Sequence, residues 1–190
     1  MRELVWTGFM TVDGVVDSPG GVEEGHPGGG WVFRTDLVPE TFDLKVAELE
    51  ETSALMFGRR SFESFRDFWP TSADHADYNP LPKYVVSSTL SESALHPQWR
   101  EQTILRTTAD VAELKKTDGG AIFIHGSAEL ARRLADEGLI DRYNLLVFPA
   151  LVGGGKGVFA EQPHPERRLA LRESEAYSNG VLKLIYEVVR

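Results

Sequence analysis

The chain has 190 residues, 42% of them apolar, and no cysteine. That length supports one core-bearing domain without metal or disulfide staples, and the missing thiols exclude disulfides, thiolate metal sites and cysteine nucleophiles. Twenty basic against 29 acidic residues leave a net charge of −9, which argues against a nucleic-acid partner or an anionic membrane surface.

Residues 3–10 are mostly apolar, with Val5, Trp6 and Phe9, and predict a buried first strand. A long irregular loop follows, opening at Asp13-Gly14 and carrying Gly20-Gly21 and Gly28 to Gly30. Loops of this length in compact domains are usually functional or disordered. Residues 39–51 predict a helix with Phe42, Val46 and Leu49 facing inwards. Residues 53–57 form a short apolar strand, and Gly58, Arg59, Arg60 and Ser61 follow it directly. Phe62, Phe65 and Trp69 give a second helical stripe, closed by Pro70, and residues 74–82 read as a loop.

Residues 84–86 predict a third strand ending in Ser87, Ser88 and Thr89, and residues 102–106 a fourth. Thr107 or Thr108 caps a helix running to Lys116. Residues 121–124 are a fully apolar strand, and His125-Gly126-Ser127 turns into a helix with Leu130, Ala131 and Leu134 on one face. Residues 143–151 are another strong strand, and two strands at 169–177 and 181–189 meet across Asn179-Gly180, a hairpin signal. The pattern is α/β, with a mixed central sheet flanked by helices and a C-terminal antiparallel hairpin. No linker divides it, so residues 1–190 read as a single domain. No apolar run approaches the ~20 residues of a membrane span, and the N-terminus lacks a signal peptide's apolar stretch. The chain reads as a cytoplasmic globular protein.

Three strand-to-helix junctions carry small or basic residues: Gly58 to Ser61, Ser87 to Thr89, and His125 to Ala128. In α/β sheets ligands gather outside the carboxyl ends of the strands. Helix N-termini there offer backbone N–H groups, glycine lets a phosphate approach, and adjacent arginines suit an anion. Taken singly, each junction is better explained by a capped helix with solvated arginines. Together they point to a phosphate-bearing cofactor spread over several strand ends. Gly153, Gly154, Gly155 and Lys156 follow a strand but match neither G-x-G-x-x-G nor a P-loop, since no Ser or Thr follows Lys156. They either line a cleft or simply turn the chain. His26, His75, His96, His125 and His164 show no metal-ligand spacing, and no G-x-S-x-G elbow is present. Asp13 at a strand end and Asp43 on the first helix are the candidate proton-supplying carboxylates. A surface or capping role accounts for either one alone.

The order of these motifs resembles the dihydrofolate reductase-like superfamily, and within it the stand-alone bacterial relatives of the riboflavin-biosynthesis deaminase-reductase C-terminal domain. The resemblance runs from residues 10–16 around Asp13-Gly14, through residues 55–63 around Gly58-Arg59-Arg60, to residues 124–130, 139–143 and 149–159. It implies a three-layer fold that binds NADPH at the strand ends. Carried over, Gly58, Arg59, Arg60 and Ser61 would hold the pyrophosphate and the adenosine 2′-phosphate. Ser87 and Ser88 would lie by the adenosine ribose, and Gly126, Ser127 and Ala128 would place amides at the pyrophosphate. Gly153, Gly154 and Gly155 would approach the nicotinamide, with Trp31 at the cofactor–substrate cleft and residues 20–30 as a lid. The implied activity is hydride transfer to a C=N or C=O bond of a small heterocycle, pterin- or pyrimidine-like, by a cytoplasmic homodimer. The alternative is a non-catalytic nucleotide-binding or regulatory protein on the same fold. Two departures stand out: the zinc deaminase half is absent, and no basic cluster for a substrate phosphate lies between Phe62 and Asn79.

Overall fold

The computed structural model describes residues 1–159 and 166–190. Pro163, His164 and Pro165 lie outside them. Among the described residues eight strands form one sheet: β1 Leu4–Thr11, β2 Thr52–Gly58, β3 Lys83–Val86, β4 Gln102–Leu105, β5 Ala121–His125, β6 Arg142–Phe148, β7 Leu169–Ala176 and β8 Leu182–Val188. Their order is β4-β3-β2-β5-β1-β6-β8-β7. The first six are mutually parallel, and β8 runs antiparallel between β6 and β7. The carboxyl ends of β1, β2, β3 and β5 therefore emerge along one edge, where ligands gather in sheets of this kind.

Four α-helices among the described residues cover the sheet: α1 Asp43–Glu51, α2 Arg59–Arg66, α3 Thr108–Lys116 and α4 Ala128–Asp136. Alternation along the strands divides the core in two. Trp6, Met56 and Ile124 pack with Val111, Leu130 and Leu134 of α3 and α4. On the other face, Leu55, Phe57 and Val85 pack with Phe62 of α2, Trp69 and Trp99. Thr107 caps α3, its hydroxyl accepting from Asp110 N–H while the Asp110 carboxylate accepts from Thr107 N–H.

Two sequence expectations need correction. The helix at 39–51 starts as a 3-10 turn, Pro39–Phe42, and its buried positions are Thr41, Leu44 and Glu48, while Val46 is 67% exposed. The apolar stripe misled because the inward position one turn on from Leu44 is a carboxylate. The stripe through Trp69 breaks at Arg66, and Trp69 sits in a separate 3-10 turn before another, Ala73–Tyr78, in the stretch expected to be irregular. The glycine-rich loop is folded. Gly30 N–H donates to Ser18 O and Val32 N–H to Pro19 O, while Arg34 clamps the carbonyls of Gly28 and Gly29. A Cβ at Gly29 would lie 2.5 Å from the Gly21 carbonyl oxygen, so only glycine fits there.

Candidate functional site

A groove of about 520 Å³ runs along the carboxyl edge. It is lined by all three junctions, by Val16 to Pro19 from the loop after β1, and by Lys156. The β2 and β5 junctions are stitched to each other. Gly58 N–H donates to Ser127 Oγ at 3.0 Å, Ser127 Oγ donates to His125 O at 3.1 Å, and Ser127 N–H donates to Ser61 Oγ at 3.0 Å. Ser61 and Ser127 are therefore cross-links rather than side-chain helix caps. Gly126 and Ser127 both adopt left-handed backbone, φ +58° and +53°. For Ser127 that conformation costs about 1 kcal/mol or more, offset by its three hydrogen bonds.

The stitches set which amides can face a ligand. Those of Gly58 and Ser127 are consumed. The amides of Ala128, Glu129 and Leu130 precede the first helical bond of α4, Ala131 N–H to Ser127 O, and so have no intrahelical acceptor. The first turn of α2 gives Arg59, Arg60 and Ser61 the same status. Two positive helix ends thus meet at the groove. Arg59 and Arg60 are exposed and line it, and no acidic partner holds either among the described residues. Arg133 of α4 adds a third guanidinium that the motif reading did not single out. Ser87 is buried, its Oγ accepting from Thr89 and Leu90 N–H, and Arg106 braces the same turn through the Ser87 and Leu90 carbonyls. Ser88 lies at the groove edge.

At the other end two aspartates tie the glycine-rich segment after β6 to the loop after β1. Asp13 accepts from Thr11 Oγ1 and from the amides of Val152 and Gly153. Those bonds, the Thr11 hydroxyl foremost, hold its carboxyl below the usual range. Asp17 receives Lys156 Nζ at 3.1 Å and Ser18 Oγ at 3.0 Å. Burial works to raise its pKa, but the bonds from Lys156 and Ser18 outweigh it and the net shift is downwards. Gly153, Gly154 and Gly155 stand beyond the groove's lining, with Lys156 as the contact the segment makes to it. Trp31 is also off the groove. It is 2% exposed, packs edge-on to Phe148 at 5.5 Å, and donates its indole N–H to the Asp17 carbonyl at 3.0 Å. Its large apolar ring is spent in the core, and the groove wall beside it is Asp17 and Ser18. Asp43 is exposed at the start of α1, outside the groove lining.

Beneath the groove lies a polar cluster in which motif spacing identified only His125. Glu48 of α1, 1% exposed, accepts from Thr7 Oγ1 at 2.6 Å, Asn144 Nδ2 at 2.8 Å and Lys45 Nζ at 3.1 Å. His125 is buried in the same layer, and burial, with Lys45 and His75 nearby, keeps its pKa well below the ordinary histidine value. The signal available in the sequence was weak: a threonine in the middle of an apolar strand and a glutamate on an apolar helix face. No group of three or more acidic or histidine side chains able to hold a metal occurs among the described residues. Among those residues no helix is long and apolar enough to cross a membrane.

The sequence matches the RibD C-terminal domain family over residues 2–183. Uncharacterized protein YyaP of Bacillus subtilis is 27% identical over 147 residues, 73% of this chain and 75% of that protein. A solved protein of Shewanella sp. PV-4 assigned to riboflavin biosynthesis superposes with a TM-score of 0.74 at 19% identity, covering 99% of each chain. Dihydrofolate reductase of Enterococcus faecalis, solved with NADP(H) and RAB-propyl, superposes with a TM-score of 0.61 at 14% identity, covering 99% of this chain and 97% of that one.

Proposed function

We propose that this chain, which belongs to the RibD C-terminal domain family and so to the oxidoreductases of the dihydrofolate and riboflavin reductase type, reduces a small heterocycle with NADPH. One observation carries the cofactor reading. Two helix N-termini and three arginines, Arg59, Arg60 and Arg133, with no acidic partner among the described residues, face one groove in a chain of net charge −9. Free amides, positive helix ends and guanidinium forks are the donors a pyrophosphate and a ribose phosphate require. On this reading the α4 amides from Ala128 onwards and the first turn of α2 take the pyrophosphate. Arg59 and Arg60 take the 2′-phosphate, and Ser87 and Ser88 border the adenosine. Bound there, the cofactor would supply a hydride. The protein's part is to orient it and exclude water, with residues 16–31 covering one side of the groove.

Asp13 serves this site by holding residues 152–153 in place, and Gly153 to Gly155 present Lys156 to the groove. Asp43 faces solvent at the head of α1. The acceptor is a pterin- or pyrimidine-like C=N or C=O compound. The residues act as one domain, and two copies pair through the hairpin, where Leu169 and Leu171 of the edge strand β7 are exposed. Light scattering of the purified protein tests that pairing.

The test of function is titration with NADPH and, separately, NADH, followed by tryptophan fluorescence and calorimetry. Micromolar binding with NADPH preferred supports the reading, and absence of binding by both methods rejects it. Oxidation of bound NADPH by a pterin or pyrimidine, read at 340 nm, separates an enzyme from a non-catalytic nucleotide-binding relative.

A further inference from the structure

His125 of β5, Thr7 of β1 and Asn144 of β6 are direct cross-strand neighbours. They form one polar row across three adjacent strands, pointing at α1. The row on one side holds Val5 between Phe123 and the buried Arg142, which lies over the Phe123 ring, and the row on the other holds Phe9 with Leu146. Buried polar side chains in the centre of a sheet are costly unless paired, and here the pairing is incomplete. Asn144 Oδ1 and His125 Nε2 are buried without a hydrogen-bond partner among the described residues.

The donors of the cluster can be counted. Thr7 gives its one proton to Glu48 and receives Lys45 Nζ on its oxygen. Lys45 gives a second proton to Glu48 Oε2. An ammonium carries three, and the third has no acceptor among the described residues. The side chain keeps 17% of its surface open and stands 5.4 Å from the centre of the Phe9 ring. The cluster adjoins the groove. His125 directly precedes Gly126, and Phe65, which lines the groove, stacks on Trp69, whose ring meets His125 edge-on at 5.5 Å.

We propose that Lys45, held by Glu48 and Thr7, supplies the proton that accompanies hydride addition to the acceptor. This rests on the reductase reading. Hydride brings an electron pair to the carbon of C=X. The C=X π pair moves onto X, which takes a proton from Lys45. The N–H pair stays on the amine, and solvent water reprotonates it. The groups facing the ammonium suit this role. Glu48 on α1 and Thr7 on β1 accept from the ammonium and fix its position. His125 on β5 stays neutral, and His75 and Tyr78 from the neighbouring 3-10 turn are held neutral by burial. Asp13 is already committed to the glycine-rich segment as a carboxylate.

Uniformly 15N-labelled protein tests the placement, with Lys45→Arg identifying the ammonium resonance. NADP+ and 2′,5′-ADP should both move the backbone amides of Arg60 and Ala128, and only NADP+, which has the nicotinamide half, should move the Lys45 ammonium. An ammonium unmoved by NADP+, or moved equally by 2′,5′-ADP, overturns the inference. If neither ligand moves the amides, the cofactor reading fails and takes the inference with it. For a pterin or pyrimidine the wild type reduces, Lys45→Met should lower turnover by about a hundredfold or more, leave NADPH affinity within twofold, and erase the alkaline limb of the pH profile. Lys45→Arg, whose guanidinium keeps the charge but does not give up a proton, should not restore the rate. Unchanged turnover and pH profile in Lys45→Met overturn it.

Discussion

Ser127 Oγ accepts the Gly58 amide 69 residues away and so locks two strand-to-helix turns into one anion-facing surface. The serine does this from a left-handed backbone, φ +53°, so its hydroxyl and its strain act in opposite directions. Ser127→Ala keeps the strain and loses two hydrogen bonds, a cost of about 1–2 kcal/mol. For a chain of this length each kcal/mol lowers Tm by about 2–4 °C. Ser127→Gly loses the same bonds but relaxes the backbone, and should melt above the alanine variant. Thermal melts of the two variants check the order. Alanine at or above glycine would show that the turn is not strained.

Arg59 and Arg60 are exposed and pair with nothing among the described residues, so replacing them should leave folding nearly untouched, within about 0.5 kcal/mol. Their expected effect is on ligand. Arg60→Ala or Arg59→Ala should weaken NADPH about tenfold or more and NADH far less, and added salt should narrow the gap. Calorimetry with both nucleotides at two salt concentrations measures this. Equal losses for the two nucleotides would move the 2′-phosphate elsewhere, Arg133 being the next guanidinium on the groove.

Asp13 has the opposite character, an acceptor whose partners are all inside the protein. The Thr11 hydroxyl and the Gly153 and Val152 amides lower its folded pKa below the unfolded value. Its stabilising contribution is therefore fully present above the unfolded pKa of about 3.9 and is lost as pH falls through the lowered folded value. At neutral pH it has no proton to give. Asp13→Ala should speed amide exchange at Val152 and Gly153, and Asp13→Asn, which keeps one acceptor oxygen, should do so less. Hydrogen exchange by mass spectrometry reads both. Unchanged exchange in the alanine variant would remove Asp13 as an anchor.

What the sequence disclosed follows from what repeats in physics. Strand, small residues and amphipathic helix recur at each junction, and so Gly58, Arg59, Arg60, Ser127 and Ala128 stand out and converge on one groove. The hairpin was legible in Asn179-Gly180 for the same reason. Pattern reading assigns apolar residues to the core, and so it turned α1 towards Val46 and overlooked Glu48, whose burial makes sense only beside Thr7 and Asn144 from two other strands. Trp31 shows the converse. A large ring after a glycine run suggests a cleft wall, but its partners, Phe148 and the Asp17 carbonyl, come from a distant strand and from the loop's own opening turn. Contacts that depend on tertiary register leave no local mark.

Lys83 gives a test independent of any ligand. It opens β3 fully buried, with Nζ donating to the Asn79 carbonyl at 2.5 Å and lying 5.4 Å from the Trp99 ring centre. Burial lowers its pKa to about 8, and Glu101 only partly opposes this. The unfolded chain then binds more protons than the folded one between about pH 8 and the unfolded value near 10.4. The penalty is complete below pH 8 and fades as pH rises towards 10.4, so this residue's contribution to stability improves with alkalinity. Lys83→Met removes the buried charge but also the carbonyl bond and the cation–π contact, leaving a net gain on the order of 1–2 kcal/mol at pH 7. Tyr78 and Tyr143, both raised to about 12, titrate above this window. Other lysines contribute equally to both proteins, so the wild-type minus variant difference isolates Lys83. Urea unfolding at pH 7 and pH 10 should show the Lys83→Met advantage shrinking as pH rises. An advantage that is constant or growing would mean that the lysine is not penalised by its burial, and that Trp99 and Asn79 fully compensate the charge.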